Sequence, residues 1–522
     1  GHNASRVSVY PSSGKVLQMT QTTSAGHSLW LHTAPKTGYP HLAGDIEVDV
    51  AVIGGGIAGL STALLLSRNG ARVAVLEADR VGAGVTGCTT AKVSALQGTV
   101  YTAIAKRHGD KVAAVYAGAS TAGVEGLAEI VAEESLDCDL DRRPAYTYAA
   151  TPDERAAIEK EAATAARAGL PVELVESAEL PLAIYGAVRL ADQVQVHPVK
   201  YAQGLAAKAV ENGAEIFESS RVVDVHEGTP CVVRTRAGAV RATDVVVATH
   251  YPILDRGGYF ARLEAQRSYC IAARLAQDTP PATMAINAGS PTRSVRSHGE
   301  YLIVGGEGHA AGTDDARPER YERLEEFARA HWDVESVTHR WSSQDPTHYD
   351  HLPLIGPYRP GARHLWVTAG FMKWGFATAT FAAMILADRL GGRANPWADT
   401  FSPTRLSARS LPEVGRLGVK FSAAMVGDRL RPPEARDTAD IPRREARVVG
   451  TGLGKKGVYR DEAGVLHAVS LRCTHLGCLL HFNAAETSWD CPCHGSRFDV
   501  EGGVLEGPAT EPLEHSESPG DE

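Results

Sequence analysis

Apolar and polar positions change period several times along this chain. Val48–Ile53 is an almost unbroken apolar run, as in a strand buried on both faces. Three glycines follow, and Leu60–Asn69 then carries the spacing of a helix that Gly70 stops. A second apolar run, Arg72–Leu76, completes a strand–helix–strand unit. Later runs predict strands over Arg221–Val225 and Val245–Ala248, and an apolar helix over Ala377–Leu390. Thr151–Gly169 reads as a helix opened by a capping box, with Thr151 as cap and Glu154 three residues on. Beyond residue 443 the pattern becomes short runs, Ala446–Val449, Val458-Tyr459 and Val465–Val469, separated by turn residues such as Asp461-Glu-Ala-Gly464. This is the pattern of an all-β module.

At 522 residues the chain is long enough for two to four domains. Its 43% apolar and 22% charged residues exclude a disordered or collagen-like protein. With 53 basic against 62 acidic residues there is no basic surplus to neutralise phosphates, which argues against a nucleic-acid partner. From Phe498 onward there are eight acidic residues and no Lys or Arg, which read as a solvated tail or as a docking face for a basic redox partner. Val50–Ser67 is 18 residues without charge, but its four glycines fit strand–turn–helix better than a membrane span. Trp374–Ala387 is too short to span. Residues 1–18 lack Met and a helical period and read as an expression remnant before a native start at Met19, with 19–44 an extended arm. Without a secretory signal, the expected location is the cytoplasm.

Cysteines fall into two populations. Cys88, Cys138, Cys231 and Cys270 are scattered, as small core hydrophobes are. The other four are interleaved with histidines: Cys473-Thr-His475-Leu-Gly-Cys478 and Cys491-Pro-Cys493-His494-Gly-Ser496. Such crowding points to a metal, either zinc or an iron–sulfur centre. The two loops resemble the Rieske [2Fe–2S] signature. That resemblance implies Cys473 and Cys491 on one iron, His475 and His494 on the other, and a disulfide between Cys478 and Cys493. It also implies that Ser496 donates to the cluster. Phe498 stands where high-potential members often carry Tyr, so one donor fewer should lower the potential.

Gly54-Gly-Gly56-Ile57-Ala58-Gly59 lies between the first strand and its helix, and Glu77 ends the second strand. Those glycines let backbone approach a pyrophosphate on the helix N-terminus, and Glu77 can bond ribose hydroxyls. The motif does not separate FAD from NAD. A second match, Gly452–Gly457, is followed by strand-like residues and is rejected.

The runs Arg80–Lys92, His351–Pro357 and Leu365–Phe376, in this order, resemble the D-amino-acid oxidase-like (glycine/sarcosine oxidase) FAD oxidoreductases, and more closely the bacterial subgroup fused to a C-terminal Rieske domain. The resemblance covers roughly residues 28–515. It implies an α/β FAD-binding Rossmann-like domain (45–140, 195–255, 340–392) interleaved with an α+β substrate domain (141–194, 256–339). A Pro- and Arg-rich linker (393–443), an all-β Rieske domain (444–515) and an acidic tail (516–522) complete the chain.

The resemblance also implies FAD contacts. Ala78, after Glu77, would touch the cofactor; the loop of Thr86, Gly87, Cys88, Thr89, Thr90 and Ala91 would approach the flavin; Val222 the adenine; Ala248 and Thr249 the cofactor's face; and Gly370, Lys373, Trp374 and Gly375 its redox end. Covalent attachment through Cys88 is a minor alternative to a structural thiol. His250 is a candidate flavin neighbour. Arg267, Tyr269, Tyr259, Tyr301, His309 and Lys373 are candidate substrate ligands, Arg267 as partner of a carboxylate. The expected activity is FAD-dependent oxidation of a small amine or amino acid, with electrons passed singly through the cluster to a one-electron acceptor. An O2-using oxidase and a non-catalytic electron-transfer or redox-sensing protein are the alternatives.

Overall fold

A computed structural model describes residues 28–313, 316–405, 415–416, 432–435, 438–450 and 454–515. The expected remnant, the first part of the arm (19–27), about half of the linker, and the tail lie outside these residues.

The first strand, Ile46–Ile53, is central to an eight-stranded sheet, running parallel to Ala239–Val247 on one side and Val73–Leu76 on the other. Its alternate residues enter different cores. Val50 and Val52 join the cluster under the helices, whereas Ala51 and Ile53 join the cluster on the opposite face. This is why the run reads as continuously apolar. Helices Ile57–Arg68, Pro198–Glu211 and Gly375–Leu390 pack together. Gly70, in left-handed backbone at φ 85°, follows the first helix.

A nine-stranded sheet forms the second layer, ordered 334–348, 263–275, 301–310, 293–298, 284–287, 141–148, 187–195 and 92–93, with 173–175 at the side. The strand Val334–His348 crosses the expected domain boundary at residue 340, and Lys92–Val93 pairs with this sheet from within the expected FAD segment. Helix Glu319–His331 covers one face.

Three local expectations need correction. Thr151 makes no side-chain cap; a 3-10 turn, Pro152–Glu154, precedes the helix Arg155–Arg167, and the Glu154 carboxylate accepts from the Ala150 amide at 2.8 Å. Arg221–Val223 is irregular, and the strand begins only at Asp224. The arm is not wholly extended: Leu29–Thr33 is a short helix, and Trp30, fully buried, donates from its indole to the Thr89 carbonyl at 2.7 Å.

The C-terminal module contains a three-stranded sheet (Glu445–Val449, Lys456–Arg460, Leu466–Ser470) and a four-stranded one (His481–Asn483, Ser488–Asp490, Arg497–Phe498, Val504–Glu506). Trp489, Phe498, Leu471 and Leu480 form its core. A Cβ on Gly457 would lie 2.5 Å from the Trp489 ring, so this glycine of the rejected motif serves packing. No helix among the described residues is long and apolar enough to cross a membrane.

Candidate functional site: a flavin cavity walled by an iron–sulfur module

A cavity of about 640 Å³ opens where the two large sheets meet. Its walls include Gly54, Gly56, Ile57, Ala58, Glu77 and Ala78; the loop residues Thr86, Cys88, Thr89 and Thr90; and Val222, Ala248, Thr249, His250, Tyr269, Lys373, Trp374 and Gly375. A Cβ at Gly54 would lie 2.4 Å from the Ala248 carbonyl, so only glycine lets the turn pass this close to the neighbouring strand. Thr86 accepts from the Ile57 amide at 3.2 Å through its hydroxyl. The helices beginning at Ile57 and Gly375 both start at this wall without a side-chain cap from Gly56 or Trp374, so their positive ends suit an anionic group. Glu77 accepts from the amides of Gly55 (2.6 Å) and Asp79 (2.9 Å), and burial raises its pKa. These features fit FAD.

Other expected contacts lie behind the wall. Gly59 packs its helix on the turn, where a Cβ would meet the Gly54 carbonyl at 2.0 Å. Gly87 fits against the Gly82 carbonyl and Leu31, Ala91 is fully buried, and Gly370 faces Leu263 and His348. Each supports the loop that touches the cavity. The buried thiol of Cys88 has its pKa pushed far up, chiefly by desolvation, which disfavours a reactive thiolate.

The substrate candidates separate. Arg267 is fully buried and already committed: it donates to Ser342 (2.6 Å), Gln344 (3.1 Å) and the Glu506 carboxylate (3.0 Å). It is not among the wall residues, so the expectation of a substrate anchor is corrected to an ion pair across the module boundary. Tyr269 reaches the wall but its hydroxyl meets His309 Nε2 at 3.0 Å. Tyr259 donates to the Tyr358 carbonyl and Tyr301 accepts from Arg274, both away from the cavity. Lys373, at φ 71°, donates to Ser268 at 2.8 Å; its side chain is exposed at the cavity, and desolvation there lowers its pKa.

A second cation, Lys92, belongs to the site although nothing in its local sequence marks it. It lines the cavity, donates to the Ala285 carbonyl (3.1 Å) and Ser294 (2.5 Å), and has its pKa lowered to about 7 by burial and then by Arg296. Arg221, whose backbone neighbour Val222 was expected, also lines it and donates to the Val504 carbonyl at 3.1 Å.

The C-terminal module supplies part of the same wall through Arg497, Val504, Leu505, Glu506, Gly507 and neighbours. Its two cysteine loops converge. Cys478 and Cys493 are disulfide-bonded, whereas Cys473 and Cys491 are buried free thiols. The sulfurs of Cys478, Cys491 and Cys493 lie within 4.8 Å of one another, but the bonded pair offers no thiolate. The Cys473 thiol is drawn down to about 7, first by a hydrogen bond with Cys491, with the amides of His475 and Leu476 and the Ser496 hydroxyl also favouring the thiolate. Ser496 accepts from the Ala509 amide at 3.0 Å, which leaves its own proton for a sulfur.

The His475 and His494 rings sit 5.0 Å apart, and His475 Nδ1 is buried without a hydrogen-bond partner. Two buried thiols, one of them receiving donors, beside two imidazoles of which that of His475 keeps such a nitrogen, fit a two-Cys, two-His [2Fe–2S] cluster.

A short chain of contacts joins the two centres. His250, at φ 65° on the cavity wall, bonds through Nε2 to the Gln344 carbonyl at 2.6 Å, and Gln344 Nε2 donates to the Gly495 carbonyl at 2.8 Å, beside His494. The next residue, Tyr251, places its ring 6.0 Å from that of His494.

Comparison with known proteins agrees with this geometry. Residues 49–389 match the DAO family, FAD dependent oxidoreductase. The chain belongs to that family. Residues 433–517 match the Rieske [2Fe-2S] domain. The Rieske 2Fe-2S iron-sulfur protein YhfW of Bacillus subtilis (strain 168) is 33% identical over 94% of this chain and 97% of its own length. Gamma-glutamylputrescine oxidoreductase of Escherichia coli (strain K12) is 32% identical over 40% of this chain and 51% of its own. Glycine oxidase from Geobacillus kaustophilus shares the fold, with a TM-score of 0.60 at 21% identity over 69% of this chain and all (100%) of that one. The protein is thus an FAD-dependent oxidoreductase carrying a Rieske domain.

Proposed function

We propose that the protein oxidises a small amine or amino acid at its C–N bond and delivers the electrons one at a time, through the cluster, to a one-electron acceptor. The observation that carries this reading is the shared wall: residues 504–507 of the Rieske module line the flavin cavity, and His250 and Gln344 bridge from that cavity to the loop of His494. When bound, FAD takes a hydride and the [2Fe–2S] cluster passes single electrons, so together they divide a two-electron oxidation into two one-electron steps. In the balanced reaction the substrate CH–NH unit becomes C=N. It loses a hydride and a proton, and two equivalents of acceptor are reduced.

The side chains then have distinct tasks. Lys92, buried, and Lys373, exposed at the cavity, put two amines on the wall that when protonated suit a carboxylate or other anionic end of the substrate. With its pKa near 7, Lys92 can also hold or release a proton at neutral pH. The Rieske wall excludes water on its side. DAO-family membership and the amine- and amino-acid-directed names of relatives such as gamma-glutamylputrescine oxidoreductase favour C–N chemistry.

The test is anaerobic mixing of the FAD-loaded protein with a panel of amines, amino acids and non-nitrogenous hydroxy acids, followed by flavin absorbance. Bleaching by a nitrogenous substrate is expected. Bleaching by hydroxy acids alone would overturn the C–N assignment.

A further inference from the structure

The histidine edge of the cluster site faces inward. His494 is buried with Tyr251 and Phe260 near its ring, both from the flavoprotein part. His475 meets a charge there: its Nε2 lies 2.6 Å from Oδ1 of Asp255, a residue 220 positions away in the loop after the strand Ala239–Val247. The His475 side chain is 7% exposed and that of Asp255 53%, so the carboxylate reaches from a wet loop onto a buried imidazole edge. The geometry leaves His475 one role for each nitrogen. Nε2 donates to the carboxylate, and the partnerless Nδ1 is the one left for iron.

We propose that Asp255 is a positioning residue for the cluster: it fixes the tautomer and orientation of His475, and its negative charge lowers the cluster's reduction potential. A carboxylate hydrogen-bonded to a ligating imidazole makes that ligand more electron-rich and favours the more positively charged, oxidised cluster. Phe498, fully buried in the cluster module's core and lacking a hydroxyl, acts in the same direction. Potential tuning thereby depends on the flavoprotein part being docked, because the charge comes from it. This inference rests on the cluster alone and not on the proposed substrate or electron route.

The test is an EPR-monitored redox titration of the full-length, FAD- and iron-loaded protein without substrate, comparing wild type, Asp255→Asn, Asp255→Ala and the control Glu129→Gln on an exposed helix face. Asp255→Asn keeps an acceptor oxygen and removes the charge. Half-exposure damps the effect, so roughly a tenfold shift of the equilibrium toward the reduced cluster is expected, about 59 mV upward for one electron. Asp255→Ala should shift in the same direction and also change the g-values, because the imidazole loses its anchor, while Glu129→Gln should do neither. If Asp255→Ala sheds iron while Asp255→Asn retains it, positioning is supported and the Asn variant decides the potential. An unchanged or lower potential in Asp255→Asn, or a g-tensor in a loaded Asp255→Ala identical to wild type, would overturn the corresponding half of the proposal.

Discussion

Replacing Arg267 by Met distinguishes a structural ion pair from a substrate anchor. The guanidinium is fully buried, pairs with Glu506 at 3.0 Å and faces Asp490 at 3.8 Å, the two carboxylate side chains being 22% and 2% exposed. Breaking a buried pair by removing one partner costs about 3–5 kcal/mol. Arg497 remains to hold Asp490 at 3.2 Å and Glu506 at 3.6 Å, so the lower end applies. A loss of about 3 kcal/mol is roughly a hundredfold change in the equilibrium between docked and locally opened module. Amide hydrogen exchange of the strands Arg497–Phe498 and Val504–Glu506 reads that change directly, as a fall in protection of that order relative to the Ile46–Ile53 strand. Substrate binding, measured by anaerobic flavin reduction, should change much less. Unaltered protection together with sharply weakened substrate binding would return Arg267 to the substrate site.

Four further outcomes concern the cavity. Lys92 loses its charge near pH 7 rather than at the ordinary lysine value, so an aliphatic carboxylate such as acetate should bind more weakly as pH rises through about 7; flavin absorbance perturbation measures this, and Lys92→Met should flatten the profile. On this group alone the unfolded chain binds more protons than the folded one between about 7 and 10.5, so the apoprotein should grow more stable with pH across that window in urea titrations. FAD should be released intact by acid precipitation, and Cys88→Ala should retain it, because burial keeps that thiol protonated; flavin remaining with the precipitate would contradict this. Gly54→Ala places a Cβ 2.4 Å from the Ala248 carbonyl at φ 111°, and the strain of about 1–3 kcal/mol should weaken FAD binding to the apoprotein by tenfold or more in a fluorescence titration.

Much of this architecture could be read from local pattern. The glycine turn between Ile53 and Ile57 and the two Cys–His loops announce their chemistry because the backbone and ligand spacings are themselves local. What escaped depends on long-range contact. Arg267 looks like a carboxylate ligand until Glu506, 239 residues away, is brought against it. Lys92 becomes a cavity cation only when Ser294 and Ala285 arrive from the other sheet to bury it. Asp255 is one acid among 62 acidic residues until His475 reaches it. Glu506 and Glu511 of the acidic run bind Arg267 and Arg236 of the flavoprotein part, which takes them out of any free docking face. The missed cap at Thr151 is of the same kind: Glu154 serves the Ala150 amide, and a 3-10 turn shifts the helix start.

If substrate electrons leave the flavin through the Rieske cluster, His494→Ala cuts their route. His494, the proposed ligand, is 1% exposed, beside Tyr251 and next to Gly495, whose carbonyl accepts from Gln344, at the junction of the two modules. In the folded, FAD-loaded variant, anaerobic flavin bleaching by substrate should proceed nearly as in wild type, because the hydride is taken in the other module. Steady-state reduction of the one-electron acceptor should collapse. Unchanged acceptor turnover in a variant shown to lack the cluster's EPR signal would place the cluster off the electron path.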